Sequence, residues 1–344
     1  MPKESTHLFL SHAVIEKIET NSTFRNIYEI INKSPKMFYA GSVSPDSIFN
    51  YLNGSAKVYF KQYANYSHNS NSHNIFAFLQ RFANEDLPFM PALSFALGTI
   101  SHFTADMIFH PVVFYFTGKD KIGSDEAEIR HYKFESCLDK TIRWLNPWLK
   151  DFHLPPFTNL SREERFTLTK ALEIIHLPPE QNGKLDSKEF VSMYKQHTHH
   201  ESLYGKGSIF FLTSFINFIT KGKKEKLNAL FYADIRKQSE EEDINYLMNK
   251  KINFNNPATG IECSKSLSVL IKDFLYLFME NVTPIAKALN NISPEKNPEW
   301  ADIENAFDKI PSRNPATGLI SYYGENNKTQ PMTFFKIRSF DSVW

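Results

Sequence analysis

From Leu87 to Ala105 the chain carries no formally charged side chain, and this run, which leads directly into Asp106, does most to limit the folds open to it. A stretch of that length could cross a bilayer. It contains Pro88, Pro91, Gly98 and His102, however, and an imidazole followed by a carboxylate at such depth is expensive in lipid. The same run suits a helix apolar on nearly all sides at the centre of a large helical domain, so a buried helix is expected over 91–110.

Helical periodicity dominates elsewhere. Val14, Ile15, Ile18, Phe24, Ile27 and Ile31 recur at helical spacing over 13–31, and similar patterns predict helices over 46–64, 73–83, 124–144, 162–175, 187–196, 208–220, 226–250 and 265–290. Strand-like alternation is nowhere sustained, so the expected class is all-α. With 344 residues, 42% of them hydrophobic, the chain can bury a large core, and disorder is excluded. A formal charge of +1 excludes a protein held to nucleic acid by charge alone. Cys137 and Cys263 are too few for a disulfide scaffold, and twelve histidines favour nitrogen and oxygen ligands for any metal. Lys3, Glu4 and His7 follow Met1 without an apolar segment, which predicts a cytoplasmic protein, or one exported without a signal peptide.

The polar stretch 180–207 reads as a surface excursion, and His197, His199 and His200 within it as exposed. Ile209 to Leu212 with Phe215, Ile216, Phe218 and Ile219, followed by Lys221, Lys223, Lys224 and Lys226, reads as a core helix with a solvated lysine tail. The alternative is a helix lying on a membrane. Beyond about 290, five prolines predict an irregular extension. Asn256-Pro-Ala-Thr-Gly260 returns as Asn314-Pro-Ala-Thr-Gly318, a reused turn.

Ligand-type residues recur on and after the apolar run. His102 and Asp106 would stand one above the other on a helix, about 6 Å apart along its axis, and can grip one ion. His110 lies about 12 Å of rise from His102, too far to share nitrogen bonds of about 2 Å, and should serve another centre. Because Pro111 disfavours the α conformation at the residue before it, His110 is expected to close the helix and face a neighbouring element. His131 and Glu135 repeat the four-residue spacing, and with His110 they would complete an N/N/O set suited to zinc with one position open. Taken singly, each pair is more readily a surface pair or a buried hydrogen-bonded pair, and Asp106 could instead bond His102 or Arg130.

Ser5-Thr6-His7, Ala40 to Asp46, His73, Leu97 to His102 with Asp106 and His110-Pro111, His131 with Glu135, and Phe254 to Gly260 followed by Ser264 to Leu267 occur in this order. Together they resemble, over about 1–290, the zinc-dependent phospholipase C family. That family includes bacterial phosphatidylcholine-hydrolysing enzymes and the catalytic part of glycosylphosphatidylinositol-specific phospholipase D. The resemblance implies an all-α domain over 1–290, with 291–344 as a C-terminal extension, and a cluster of two or three zinc ions. His73, His102 and Asp106 would hold one ion, His110, His131 and Glu135 a second, and His7 with a bridging Asp106 a third. His68 is the rival to His73, which is preferred because it immediately precedes the run Ile75, Phe76, Phe78 and Leu79. Secreted members bind the third zinc through a mature N-terminal tryptophan, and no tryptophan stands near the start here. Asp46 matches the carboxylate near the attacking water; on sequence alone it is equally a helix cap after Ser44-Pro45.

The implied activity is zinc-dependent phosphodiester hydrolysis, foremost phospholipase C cleavage of a phospholipid into diacylglycerol and a phosphorylated head group. Clustered dications suit such a substrate by activating water and neutralising charge on the phosphate oxygens, with Asp46 orienting or deprotonating the water. The implied partner is a phospholipid or other phosphodiester, for which peripheral contact with a membrane is one route, and no specific nucleic acid is expected. A related zinc-dependent nuclease and an inactive metal-stapled helical protein are the alternatives. A di-iron bundle uses Glu-x-x-His pairs, whereas the pairs singled out above are His-x-x-x-Asp and His-x-x-x-Glu; no GxxxxGK[ST], GxSxG or HExxH motif occurs.

Overall fold

A computed structural model describes residues 3–63, 75–117, 125–181, 183–204, 206–231, 249–256, 259–293, 295–311, 313–315 and 317–319, without the side chains of 125–128. Among the described residues, thirteen α-helices and one two-stranded antiparallel sheet make the fold all-α. The helices are α1 (Glu4–Glu19), α2 (Arg25–Lys33), α3 (Pro35–Val43), α4 (Lys57–Tyr63), α5 (Phe78–Asn84), α6 (Phe89–Thr117), α7 (Asp125–Leu145), α8 (Arg162–His176), α9 (Ser187–Tyr204), α10 (Gly207–Ile219), α11 (Glu225–Ala229), α12 (Leu267–Asn290) and α13 (Trp300–Phe307). Ile252–Asn255 pairs antiparallel with Glu262–Lys265, bracketing the first copy of the repeated turn.

The periodic run 13–31 divides between α1 and α2. Asn21 accepts a hydrogen bond from the Thr23 N–H at 3.1 Å and turns the chain through a short 3₁₀ segment, so a local side-chain bond wins over continued helix. α1 also starts upstream of the predicted position, because the Asp139 carboxylate of α7 accepts from the N–H groups of Ser5 (2.9 Å) and Thr6 (2.8 Å) and from the Thr6 hydroxyl. A carboxylate there accepts from N–H groups of the first turn and complements the helix dipole. It fixes the first turn of α1 against α7 and so places His7.

α6 is the axis of the fold, buried along nearly its whole length and enclosed by α1, α2, α3, α7, α8 and α12. It is long and apolar enough to cross a membrane, but other helices cover it. α3 crosses it at two glycines. A Cβ on Gly41 would lie 2.0 Å from the Phe95 carbonyl oxygen, and one on Gly98 2.0 Å from the Phe38 carbonyl oxygen, so only glycine lets the backbones meet.

Contrary to expectation, α6 does not end at His110 but runs through Pro111 to Thr117. Proline has no N–H for the Met107 carbonyl, which thereby loses its intrahelical partner. The second copy of the repeated turn packs onto that gap: a Cβ on Gly318, whose φ is +69°, would come 2.6 Å from the Met107 oxygen. Packing thus overrides the local preference before proline. Within the stretch expected to be irregular, α13 buries Trp300, Ile303 and Phe307, and the Trp300 indole N–H donates to the Leu87 carbonyl at 2.7 Å. The polar stretch 180–207 is mostly the helix α9.

Candidate metal centre

His102 and Asp106 are fully buried on successive turns of α6, with His110 one turn further. The Asp106 carboxylate stands 3.5 Å from His102 Nε2, 3.8 Å from His110 Nε2 and 3.8 Å from His7 Nε2. Charge-assisted hydrogen bonds are shorter, about 2.7–2.9 Å. Two atoms each about 2 Å from one tetrahedral ion are about 3.3 Å apart, close to the spacing found. The His7 ring stacks on that of His102, with centroids 4.1 Å apart and planes inclined by 17°. Asp46 enters from the 3₁₀ turn Ser44–Asn50, its Oδ1 3.7 Å from His102 Nε2.

Two groups result. His7, Asp46 and His102 offer ligand atoms all within 4.8 Å of one another, and so do His110, His131 and Glu135. In the second group His131 Nε2 lies 2.7 Å from Glu135 Oε1, and the His110 and His131 ring centroids are 6.1 Å apart. Asp106 stands between the groups. The structure therefore brings together His7, Asp46, His102, Asp106, His110, His131 and Glu135, while His73 and its rival His68 lie outside the described residues. Asp46 belongs to the first group, its Oδ1 on the side of His102 Nε2.

Backbone carbonyls aim the rings. His102 Nδ1 donates to the Ser42 carbonyl at 2.9 Å, and His110 Nδ1 to the Pro315 carbonyl at 2.8 Å. A proton held at Nδ1 leaves the Nε2 lone pair facing the carboxylates, which is how a ligating histidine is set. Burial pushes the Asp46 carboxyl well above the usual carboxylate range, with Asp106 adding to the effect, and burial likewise raises Asp106. Burial lowers the His102 imidazole, helped by neighbouring His7, so that ring stays neutral. Neutral imidazoles and crowded, desolvated carboxyls are the donor set a zinc-type dication takes, and its charge would reverse the carboxyl shifts.

A supporting layer was not legible beforehand. His197, expected to be exposed, is buried: its Nε2 lies 2.8 Å from Glu4 Oε1 and its Nδ1 2.8 Å from the Ser47 hydroxyl. α9 lays this ring between α1 and the turn that carries Asp46. His176 Nε2 donates to the Ser44 carbonyl at 3.0 Å, so His102, His176 and His197 together brace the chain over 42–47. The four-residue spacing of His197 and Glu201 was a signal, although Glu201 pairs with His153 at 3.0 Å. Arg130, the other candidate partner for Asp106, donates its Nε to the Thr117 carbonyl at the end of α6. A surface cavity lined by Thr169, Lys188, Val191 and Gln196 between α8 and α9 shares no residue with either group.

The family model described as zinc dependent phospholipase C matches residues 6–176. Over that span the chain belongs to the zinc-dependent phospholipase C family. No curated protein and no solved structure matches it. The matched span contains every member of the two groups and ends at His176, short of the 1–290 read from the sequence. His197 and Pro315, which brace the Asp46 turn and His110, come from outside it.

Proposed function

We propose that the protein is a phospholipase C acting on phospholipid, releasing diacylglycerol and a phosphorylated head group. The observation that carries this reading is the pair of buried imidazole–carboxylate groups on either side of Asp106. His7 and His102 would hold one zinc ion, with Asp46 beside it, and His110, His131 and Glu135 another, with Asp106 shared between them. His73 would add to the first group. When bound, zinc supplies Lewis-acid neutralisation of phosphate oxygens and makes water nucleophilic at neutral pH.

The chain's own groups do the rest. Asp46, at the edge of the first group on a turn braced by three histidines, orients the attacking water and accepts its proton at the carboxylate. His131 is the most exposed member of the two groups, so substrate enters on its side. Peripheral contact with the lipid surface then brings the phosphodiester to the groups without drawing the lipid fully out of its leaflet.

Protein stripped with a chelator and titrated with zinc is expected to take up two or three ions per chain and to release phosphocholine from short-chain phosphatidylcholine only when loaded. Zinc uptake with cleavage of single-stranded nucleic acid alone would replace this reading by the nuclease one. Uptake without any hydrolysis would leave the metals as staples. A further expectation concerns the Pro315 carbonyl that aims His110. Ending the chain at residue 310 should weaken zinc at the His110 group by about 10–100-fold, the usual cost of losing a partner behind a ligand. Competition with a chromophoric chelator would measure it, with the first group unchanged.

A further inference from the structure

α10 presents its apolar side outward. Phe211 and Phe218 are 73% and 80% exposed, and Leu212, Phe215 and Ile219 are exposed beside them. At about 100° per residue these five side chains cover an arc of about 120°. The inward side is polar. The Thr213 and Ser214 hydroxyls donate to the Asn228 side-chain oxygen of α11 at 3.0 and 2.9 Å, and Asn217 accepts from the Lys224 N–H at 3.1 Å. These bonds fix the rotation of the helix, so its apolar arc faces outward because its polar face is tied down. The expectation of a core helix is therefore overturned, since a core helix would turn that arc inward.

At the end of α10, Lys221 and Gly222 adopt φ of +51° and +85°, and the turn they make leaves Lys221, Lys223 and Lys224 exposed. α11 in turn rests on α7. Glu225 pairs with Lys133 at 2.6 Å, and the Ser136 hydroxyl donates to the Ala229 carbonyl at 2.8 Å. Lys133 lies between His131 and Glu135 in sequence and Ser136 follows Glu135, so the exposed arc is carried, through α11, on the helix that supplies two members of the second group.

We propose that α10 is a lipid-docking helix. It lies in the plane of a phospholipid surface with Phe211, Phe215 and Phe218 among the acyl chains and Lys221, Lys223 and Lys224 at the phosphates. An apolar face joined to basic residues is the pattern of an interfacial helix. Charge complementarity selects lipid over a second copy of the chain. Residues 207–224 contain no acidic side chain, so the same face of another copy offers the lysines no counter-charge, whereas phosphates do. The benefit to catalysis rests on the phospholipase reading; the docking itself does not.

The test is co-sedimentation of the full chain with vesicles of phosphatidylcholine alone and of phosphatidylcholine with phosphatidylglycerol, with and without chelator. Binding is expected in all cases, tighter on the anionic vesicles and weakened there by salt. The double variant Phe211→Ser, Phe218→Ser should bind at least about tenfold more weakly to both. The triple variant Lys221→Glu, Lys223→Glu, Lys224→Glu should lose the anionic preference while keeping phosphatidylcholine binding. Both variants should hydrolyse soluble short-chain substrate as the parent does, which also shows that they fold. Absence of vesicle binding by the parent, or equal binding by the double variant, would overturn the proposal, as would concentration-dependent dimers without vesicle binding. Vesicle binding without hydrolysis would remove the phospholipase reading and leave the docking helix standing; hydrolysis without vesicle binding would do the reverse.

Discussion

Replacing Asp106 by alanine is expected to lower phosphodiester hydrolysis by at least about 10³-fold, the scale of losing a central preorganised charge. Zinc retained after dialysis should fall with it, because Asp106 is the group that faces His7, His102 and His110 at once. Metal analysis and head-group release on the same preparation would check both. Without metal, the fully buried Asp106 carboxyl is a desolvated group in an apolar helix, so its removal should leave the chelator-treated protein at least as stable thermally as the parent. That comparison separates a lost ligand from a misfolded chain. A variant that kept all its zinc would place the ions away from α6.

Gly98→Val is expected to have the largest effect on stability, a loss of at least about 3 kcal/mol, read from urea denaturation. The new Cβ would sit 2.0 Å from the Phe38 carbonyl oxygen and 2.8 Å from the Ser42 nitrogen, both backbone atoms that no rotamer change can move. Replacing glycine inside a helix normally gains a few tenths of a kcal/mol or more, so destabilisation here isolates the contact between α3 and α6. The loss should also reach the site. Parting these helices draws the Ser42 carbonyl away from His102 Nδ1, and zinc affinity should fall in whatever fraction remains folded.

Much of this arrangement could be read before the structure was known, and the reasons are local. The charge-free run 87–105 has no soluble destination except a covered helix, which α6 is. His102 with Asp106, and His131 with Glu135, announce themselves because helical geometry turns a four-residue spacing into one face. What stayed hidden depends on partners distant in the chain. Nothing near Glu4 or His197 shows that they meet across 193 residues. The Asp139 carboxylate that starts α1 lies 133 residues from Thr6. Pro111 misled because its local preference is real, yet the turn at 314–318 covers the carbonyl that it strands. For α10, periodicity located the helix but carried no sign of which face the rest of the protein would hold, and that was settled by three hydrogen bonds from its polar side.

The bond from His110 to Pro315 has a consequence for biosynthesis. A ribosome must add 205 further residues after His110 before the carbonyl that aims its ring exists. His7, by contrast, emerges first and waits for α6. Contacts so remote in sequence form late and slowly. A chain that has not yet reached residue 315 can therefore assemble the central helices before the His110 ring has its anchor, so the turn around Pro315 acts as a late seal on the orientation of that ring.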